Sequence, residues 1–170
     1  MSDKQTIQWR DGTELEVLTF DMQGETFAIE ASLVREILDR MPETPVPGSA
    51  PMIASLVNFR GKVIPIADLH LAFDLAAADD TVDSRIIVIE IEYDDEPCLI
   101  GLKADKVHEV TTLQRARTES APRVGMRWRQ EFIRCLAKRD GDFVVVPDLH
   151  KIFAAGSHIS KEAAGSSLSS

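Results

Sequence analysis

Residues 55–73 read SLVNFRGKVIPIADLHLAF and residues 135–153 read CLAKRDGDFVVVPDLHKIF, so the two stretches align without a gap at a spacing of 80 residues. Gly61 aligns with Gly141, and Asp68 aligns with Asp148, each aspartate being followed by Leu-His. Identity at such turn and cap positions, with apolar residues between them, indicates two copies of one structural unit.

The repeat extends upstream of these stretches with less identity. Residues 24–38 resemble residues 95–113, which read DEPCLIGLKADKVHEVTTL. The aligned positions carry the same residue types: Val34, Glu36 and Ile37 correspond to Val107, Glu109 and Val110. The chain is therefore a tandem of two related modules, and its layout needs no enzyme site to explain it.

Short runs of strand-forming residues around tight turns predict a mainly β fold. Residues 15–21 and 26–30 flank a Gln23-Gly24 turn, and residues 56–59 and 63–66 flank Arg60-Gly61. Glycine supplies the positive φ that a two-residue hairpin turn requires. The same pattern recurs around Asp140-Gly141 and predicts a matching hairpin in the second half.

Three polar residues are predicted to cap helical segments. Asp68 and Asp148 each precede a short run with inward-facing apolar residues, a typical arrangement for a helix N-cap. Ser32 is predicted to cap a single helical turn before residues 34–38. Prolines in residues 42–51 exclude a continuous helix there.

These elements predict two small barrels packed together, with an up-and-down sandwich as the alternative. The expected division is an N-terminal segment (1–14), a first barrel (15–75), a linker (76–84), a second barrel (85–155) and a mobile tail (156–170). Each half alone is too small to bury a sufficient core, so a joint core is expected. Ile37 is expected in the core, and the members of the joint core are predicted to include Leu56, Val63, Ile64, Leu136, Phe143 and Val144.

Composition limits the classes of function. The net charge of −9 disfavours generic binding to nucleic acid or to anionic membranes. The sequence has no apolar run of the roughly 20 residues that cross a bilayer and no signal-peptide core, so we expect a cytoplasmic protein without membrane insertion. Cys98 and Cys135 stand alone in apolar strand-like segments, which favours reduced, buried thiols over a disulfide or metal site.

Two patterns suggest other chemistry. The twin Asp-Leu-His triplets admit a metal or acid-base interpretation, yet capping explains each aspartate better. Arg115 and Arg139 bound a segment with eight basic residues against two glutamates, which fits a protein contact, a solvated face or, in a less acidic chain, a nucleic-acid site. With no phosphate loop or nucleophile motif, the sequence predicts a protein that is not an enzyme and binds no cofactor.

Residues 46–70, VPGSAPMIASLVNFRGKVIPIADLH, resemble the signature of the CheW family of bacterial chemotaxis coupling proteins. The resemblance continues through residues 34–37, the strand IIVIEI at 86–91, KADKVHEV at 103–110 and VVVPDLHKIF at 144–153. Small departures are Phe59 in place of leucine, Ser55 in place of glycine and His70 in place of arginine.

The resemblance implies two intertwined, SH3-like five-stranded β-barrels with short helices around a common core. It also implies a non-enzymatic adaptor that joins the cytoplasmic tips of chemoreceptors to the regulatory domain of the histidine kinase CheA, within membrane-associated receptor arrays. One alternative is a CheW-like coupler in a non-flagellar receptor-kinase pathway. A remoter one is a generic SH3-like module for proline-rich peptides, which the few aromatic residues disfavour.

The resemblance also implies receptor-binding residues, namely Val34, Glu36, Asn58, Arg60 and Gly61, and assigns no kinase-binding residues. Arg60 at a hairpin tip is suited to pair with a carboxylate or carbonyl of a helical partner. Asn58 either stabilises the turn or contacts the partner. The structural alternatives are that Asn58 and Gly61 serve only the turn, that Arg60 and Glu36 are solvated charges, and that Val34 belongs to the core.

Overall fold

The computed structural model describes residues 9–46, 53–75, 79–93, 95–122 and 129–155, and these ranges are mostly strand. Helix α1, Leu69–Ala72, follows the sixth strand, and helix α2 occupies residues 149–155. The predicted tail 156–170 lies outside the described residues. The strands are β1 Glu14–Met22, β2 Glu25–Glu30, β3 Val34–Asp39, β4 Thr44–Pro45, β5 Ile53–Phe59, β6 Lys62–Ala67, β7 Arg85–Tyr93, β8 Glu96–Ala104, β9 Lys106–Gln114, β10 Thr118–Glu119, β11 Ile133–Arg139 and β12 Asp142–Pro147.

Three hairpins turn at the positions that the sequence predicted. At the β5–β6 turn Arg60 has φ 53° and Gly61 has φ 80°, and the turns at residues 23–24 and 140–141 have the same two positive angles. Positive φ at both central residues is the signature of a type I′ turn, whose twist matches that of the flanking strands. Glycine at the second position is thus required in all three turns.

The predicted aspartate caps are confirmed, and the predicted serine cap is wrong. The side chain of Asp68 accepts a hydrogen bond from the backbone N–H of His70 at 3.0 Å, and that of Asp148 accepts one from Lys151 at 3.2 Å. Ser32 lies inside the 3-10 turn Ala31–Leu33, which begins directly after Glu30 at the end of β2. Because the strand runs into the turn without a gap, Glu30 occupies the cap position and Ser32 lies two residues after it.

Each half of the chain contributes its first hairpin to the sheet of the other half. Sheet 1 has the order β10-β11-β12-β2-β1-β9, and sheet 2 has the order β4-β5-β6-β8-β7-β3. Strands β1 and β2 thus lie among strands of the second half, while β7 and β8 lie among strands of the first. The prediction of a mainly β fold of two intertwined, curled sheets is confirmed, each sheet having five long strands and one of two residues.

Two parallel pairs join the exchanged hairpins to their host sheets. Strand β12 pairs with β2 at Val145 and Phe27, and β6 pairs with β8 at Ile66 and Gly101. An up-and-down sandwich contains no such parallel pairs between distant strands. The sequence boundary between the repeats is therefore not a boundary between the sheets. Within the predicted linker, Thr81 and Ser84 form a hydrogen-bonded turn.

A shared core fills the space between the sheets. Its largest cluster combines Phe20 and Phe27 of sheet 1 with Ile89 and Leu102 of sheet 2 and Phe73 behind α1, all fully buried. The rings of Phe27 and Phe73 are 5.0 Å apart between centroids, so a strand of sheet 1 packs directly against the end of α1, which follows β6 of sheet 2. Smaller clusters fill each curled sheet, Ile64 lying in one and Val144 in the other.

Three residues predicted in the core are exposed instead. Val63 is 65% exposed and Ile37 is 42% exposed, and Phe143, the repeat partner of Val63, is 47% exposed. Strand alternation explains Val63, because its neighbour Ile64 points inward and the pleat turns Val63 outward. Leu56 is half-buried, whereas Leu136 is buried in the shared core as predicted.

The two cysteines carry no disulfide. Cys135 is buried, and burial raises the pKa of its thiol, whereas Cys98 is only half-buried. In the described part of the chain no helix is long and apolar enough to cross a membrane.

Because each sheet needs a hairpin from the other half, we expect the intact chain to unfold in one cooperative transition. A chain truncated after residue 84 should not fold, whereas one truncated after residue 155 keeps every described strand and should unfold like the intact protein. Urea titrations followed by circular dichroism and tryptophan fluorescence test this. Two separated transitions, or a folded first-half fragment, would show that the halves are independent.

Candidate functional site

The β5–β6 turn and strand β3 meet through an exposed ion pair. Nη2 of Arg60 lies 2.9 Å from Oε2 and 3.1 Å from Oε1 of Glu36. The Arg60 side chain is 74% exposed, and its guanidinium carbon lies 5.0 Å from the centroid of the Phe59 ring. Glu36 and Phe59 therefore hold the cation in place while most of it faces solvent.

The β5–β6 turn that presents Arg60 is held by the side chain of Asn58. Oδ1 of Asn58 accepts a hydrogen bond from the backbone N–H of Gly61 at 3.0 Å. Asn58 is exposed, so this contact does not exclude a partner, but it gives Asn58 a structural role. Asn58 and Gly61 set the backbone geometry from which Arg60 projects.

Apolar side chains lie on the strands that flank the ion pair. Val34 is half-buried and packs against the shared core, so its side chain is only partly available. Ile37 on β3 and Val63 on β6 are exposed, and Val63 pairs across the hairpin with Asn58. The sequence did not predict that Ile37 and Val63 lie at the surface. For Val63 the signal was its neighbour Ile64, which was expected to point inward and would turn Val63 outward.

The second repeat carries a related surface with different charges. Nη2 of Arg139 lies 3.0 Å from Oε1 of Glu109, the counterpart of Glu36, so the arginine has moved one residue upstream of the turn. Asp140 replaces Arg60 at the tip, and Phe143 is exposed beside it. These residues line an open groove of about 500 Å³. The two hairpin tips therefore have the same backbone conformation and present side chains of opposite charge.

The basic segment between Arg115 and Arg139 does not form one patch in the described residues. Arg115 lies over the Trp9 ring at 5.8 Å, Arg129 pairs with Glu131, and Arg134 lies 3.3 Å from Asp148. Residues 123–128 lie outside the described part of the chain. Since most described members contact neighbouring acids or rings, a solvated and locally paired face explains this segment.

In each Asp-Leu-His triplet the aspartate stands at the start of a helix. Among the described residues no group of three or more histidine, cysteine, aspartate or glutamate side chains could hold a metal ion. The two triplets belong to different helices, and each aspartate acts as a cap. Capping is the role that the geometry supports.

Residues 16–157 match the family model described as CheW-like domain. The chemotaxis protein CheW of Rhizobium meliloti (strain 1021) is 26% identical over 138 residues, which cover 81% of this chain and 86% of that protein. That of Thermotoga maritima is 26% identical over 142 residues, covering 82% and 87%. The crystal structure of the scaffolding protein TtCheW from Thermoanaerobacter tengcongensis is similar, with a TM-score of 0.71 and 28% identity over 82% of this chain and 92% of that one.

The free energy of unfolding should distinguish the residues that hold the β5–β6 turn from the exposed cation that the turn presents. Asn58→Ala should lower the free energy of unfolding by about 1 kcal/mol, because the Gly61 N–H loses its acceptor. Gly61→Ala should lower it by about 1–2 kcal/mol, since alanine disfavours the left-handed region. Arg60→Glu should cost at most about 1 kcal/mol, because exposed ion pairs contribute little. A larger loss for Arg60→Glu in urea denaturation would assign Arg60 a structural role.

Proposed function

The chain belongs to the CheW family, and on this premise we propose that it is a non-enzymatic adaptor that couples chemoreceptors to the histidine kinase CheA. The observation that carries the proposal is the match to the CheW-like domain over residues 16–157, together with 82% coverage by a scaffolding protein of the same fold. On the same premise we propose that the protein works in the cytoplasm, recruited to receptor arrays at the membrane.

An adaptor of this kind acts through linked equilibria. If it binds the active arrangement of receptor and kinase more tightly than the inactive one, it raises the population of the active arrangement by that difference in affinity. No group on the adaptor needs to react. The proposal therefore requires two surfaces with different partners on one rigid body, and the shared core supplies that rigidity.

The receptor surface is proposed at the β5–β6 tip, with Val34, Glu36, Asn58, Arg60 and Gly61 as its residues. Arg60 is its centre, because the cation is exposed and already oriented by Glu36 and Phe59. An acidic side chain on a helical receptor tip can share or replace Glu36 as the partner of the guanidinium, and bidentate pairing favours arginine for this task.

The remaining residues of the surface support that contact. Asn58 and Gly61 hold the turn, and the half-buried Val34 sets the position of β3 against the core. Exposed Ile37 and Val63 add apolar area of the kind that helix-in-groove recognition uses. A coupler in a non-flagellar receptor-kinase pathway would use the same surface. The identity of the receptors that the protein binds therefore distinguishes that function from chemotaxis coupling.

Kinase control is the first test. With purified receptors and CheA, kinase phosphorylation and its response to attractant should require this protein, while the adaptor itself should never become labelled from radioactive ATP. An unrelated protein of similar charge serves as the control. Stable phosphorylation of the chain, or equally strong receptor control without it, would overturn the adaptor assignment.

The receptor surface is tested by charge reversal at the tip. Arg60→Glu should weaken receptor binding by at least tenfold, because it places like charges together in a partly desolvated contact, and it should change CheA binding much less. Arg117→Glu, a charge reversal at an exposed arginine of the 3-10 turn Arg115–Arg117 between β9 and β10, serves as the matched control and should leave receptor affinity unchanged. Val34→Asp should also weaken binding, and its unfolding curve must be measured because Val34 packs on the core. An Arg60→Glu protein with normal stability and normal receptor affinity would remove Arg60 from the site.

A further inference from the structure

A buried imidazole lies between two carboxylates at the junction of the two sheets. The His70 side chain, on α1, is 4% exposed. Its Nδ1 is 2.5 Å from Oδ1 of Asp68, and its Nε2 is 3.1 Å from Oδ1 of Asp105. Both ring nitrogens thus face a carboxylate oxygen at hydrogen-bond distance.

This arrangement favours a proton on each ring nitrogen. A neutral imidazole carries one N–H, whereas ionised carboxylates only accept hydrogen bonds. If His70 were neutral, one nitrogen lone pair would face a carboxylate oxygen without a hydrogen between them. In the imidazolium form both contacts become charge-assisted hydrogen bonds, which are about twice as strong as neutral ones.

Asp105 extends the contact across the sheets. It lies at the corner where the chain leaves β8 in sheet 2 and enters β9 in sheet 1. Its Oδ2 accepts a hydrogen bond from the backbone N–H of Gln23 in the β1–β2 turn at 2.6 Å, and its own N–H donates to Asp21 O at 2.9 Å. His70 therefore connects α1 to the exchanged first hairpin through one carboxylate.

Three of the other charged groups around the imidazole form ion pairs of their own. They surround a cavity of about 80 Å³. Lys103 lies 3.1 Å from Glu43, and Arg85 lies 3.3 Å from Asp39. The charged residues that line the cavity besides Asp68, His70 and Asp105 are Arg40, Glu43, Asp80, Arg85 and Lys103.

The two facing carboxylates favour the protonated form. Burial alone would lower the pKa of His70, but hydrogen bonds and charge from Asp68 and Asp105 outweigh it and raise the pKa above its ordinary value. Burial alone would raise the pKa of Asp68, but His70, with a smaller contribution from Lys103, lowers it. Both directions favour an imidazolium between ionised carboxylates.

The second repeat builds the equivalent helix cap beside a cation that does not lose its proton. There the cap Asp148 lies 3.3 Å from Nη2 of Arg134, and the half-buried His150 is not its partner in any described contact. A guanidinium keeps its charge at any pH at which the protein is folded. The two helix caps thus differ in whether their cation can lose a proton.

We propose that His70 is a pH-operated latch: when protonated it holds α1, the β8–β9 corner and the β1–β2 turn together, and when deprotonated it releases one of its two carboxylates. The latch acts on the junction through which each half donates a hairpin to the other. It therefore sets how firmly the sheets are joined, independently of the partner that either sheet binds.

The sign of the pH dependence follows from the raised folded-state pKa of His70. Above about pH 6.5 the unfolded chain gives up this proton while the folded chain keeps it, so the contribution to stability is complete below that pH and is lost as pH rises through the folded pKa. Within that window the unfolding equilibrium constant should rise by up to tenfold per pH unit.

The experiment compares urea unfolding from pH 6 to 9 for the wild type, His70→Gln and His150→Gln. The wild type and His150→Gln should lose stability with rising pH in parallel, and His70→Gln should lack that part of the slope. In the wild type the protection of the Gln23 amide against hydrogen exchange, corrected for intrinsic exchange, should fall over the same pH range, while that of the Gly61 amide should not.

Histidine ¹⁵N spectra of the wild type decide the proposal even if His70→Gln fails to fold. Both ring nitrogens of His70 should be protonated at pH 6.5, and one should lose its proton as Gln23 protection falls. A neutral His70 at pH 6.5, or a pH slope in His70→Gln equal to that of the wild type, would overturn the latch.

Discussion

The exchange of the first hairpin between the two halves is the constraint on which the rest of the structure depends. Neither half contains a complete sheet, because β1 and β2 lie in sheet 1 and β7 and β8 lie in sheet 2. Each donated hairpin pairs with its host sheet on both sides, in parallel at β12–β2 and β6–β8 and in the antiparallel sense at β1–β9 and β3–β7. The apolar cluster that contains Phe27 and Phe73 adds the burial of side chains from both sheets to these ladders.

The same exchange positions the proposed receptor surface. Strand β3 lies at the edge of sheet 2 and β5 lies near its opposite edge, so the Glu36–Arg60 pair bridges elements that are far apart in the sheet order. The curl of the sheet brings them together. An exposed ion pair contributes little to stability, so Arg60 and Glu36 can be altered without loss of the fold. Asp140 at the equivalent tip shows such a divergence.

The sequence predicted the features that depend on local chemistry. The Asp-Gly and Arg-Gly turns, the Asp68 and Asp148 caps and the strands follow from residue types that few conformations accept. The exchange of hairpins did not follow from the pattern: the family resemblance implied intertwined barrels, but the predicted barrels, 15–75 and 85–155, each came from one half of the chain. Val63 and Ile37 were misplaced because apolar type was taken to mean burial, although the alternation around Ile64 turns Val63 outward.

The pair of helix caps shows how one repeat acquires two behaviours. Both caps begin with aspartate, and in both the carboxylate lies beside a buried or half-buried cation. Arg134 reaches its aspartate from β11 within sheet 1, whereas His70 lies on the helix itself and contacts a second carboxylate that belongs to the corner between the sheets. Only the His70 arrangement connects the two sheets where the hairpins are exchanged. The same Asp-Leu-His motif can thus make different contacts in the two repeats, because the exchange of hairpins gives the two caps different neighbours.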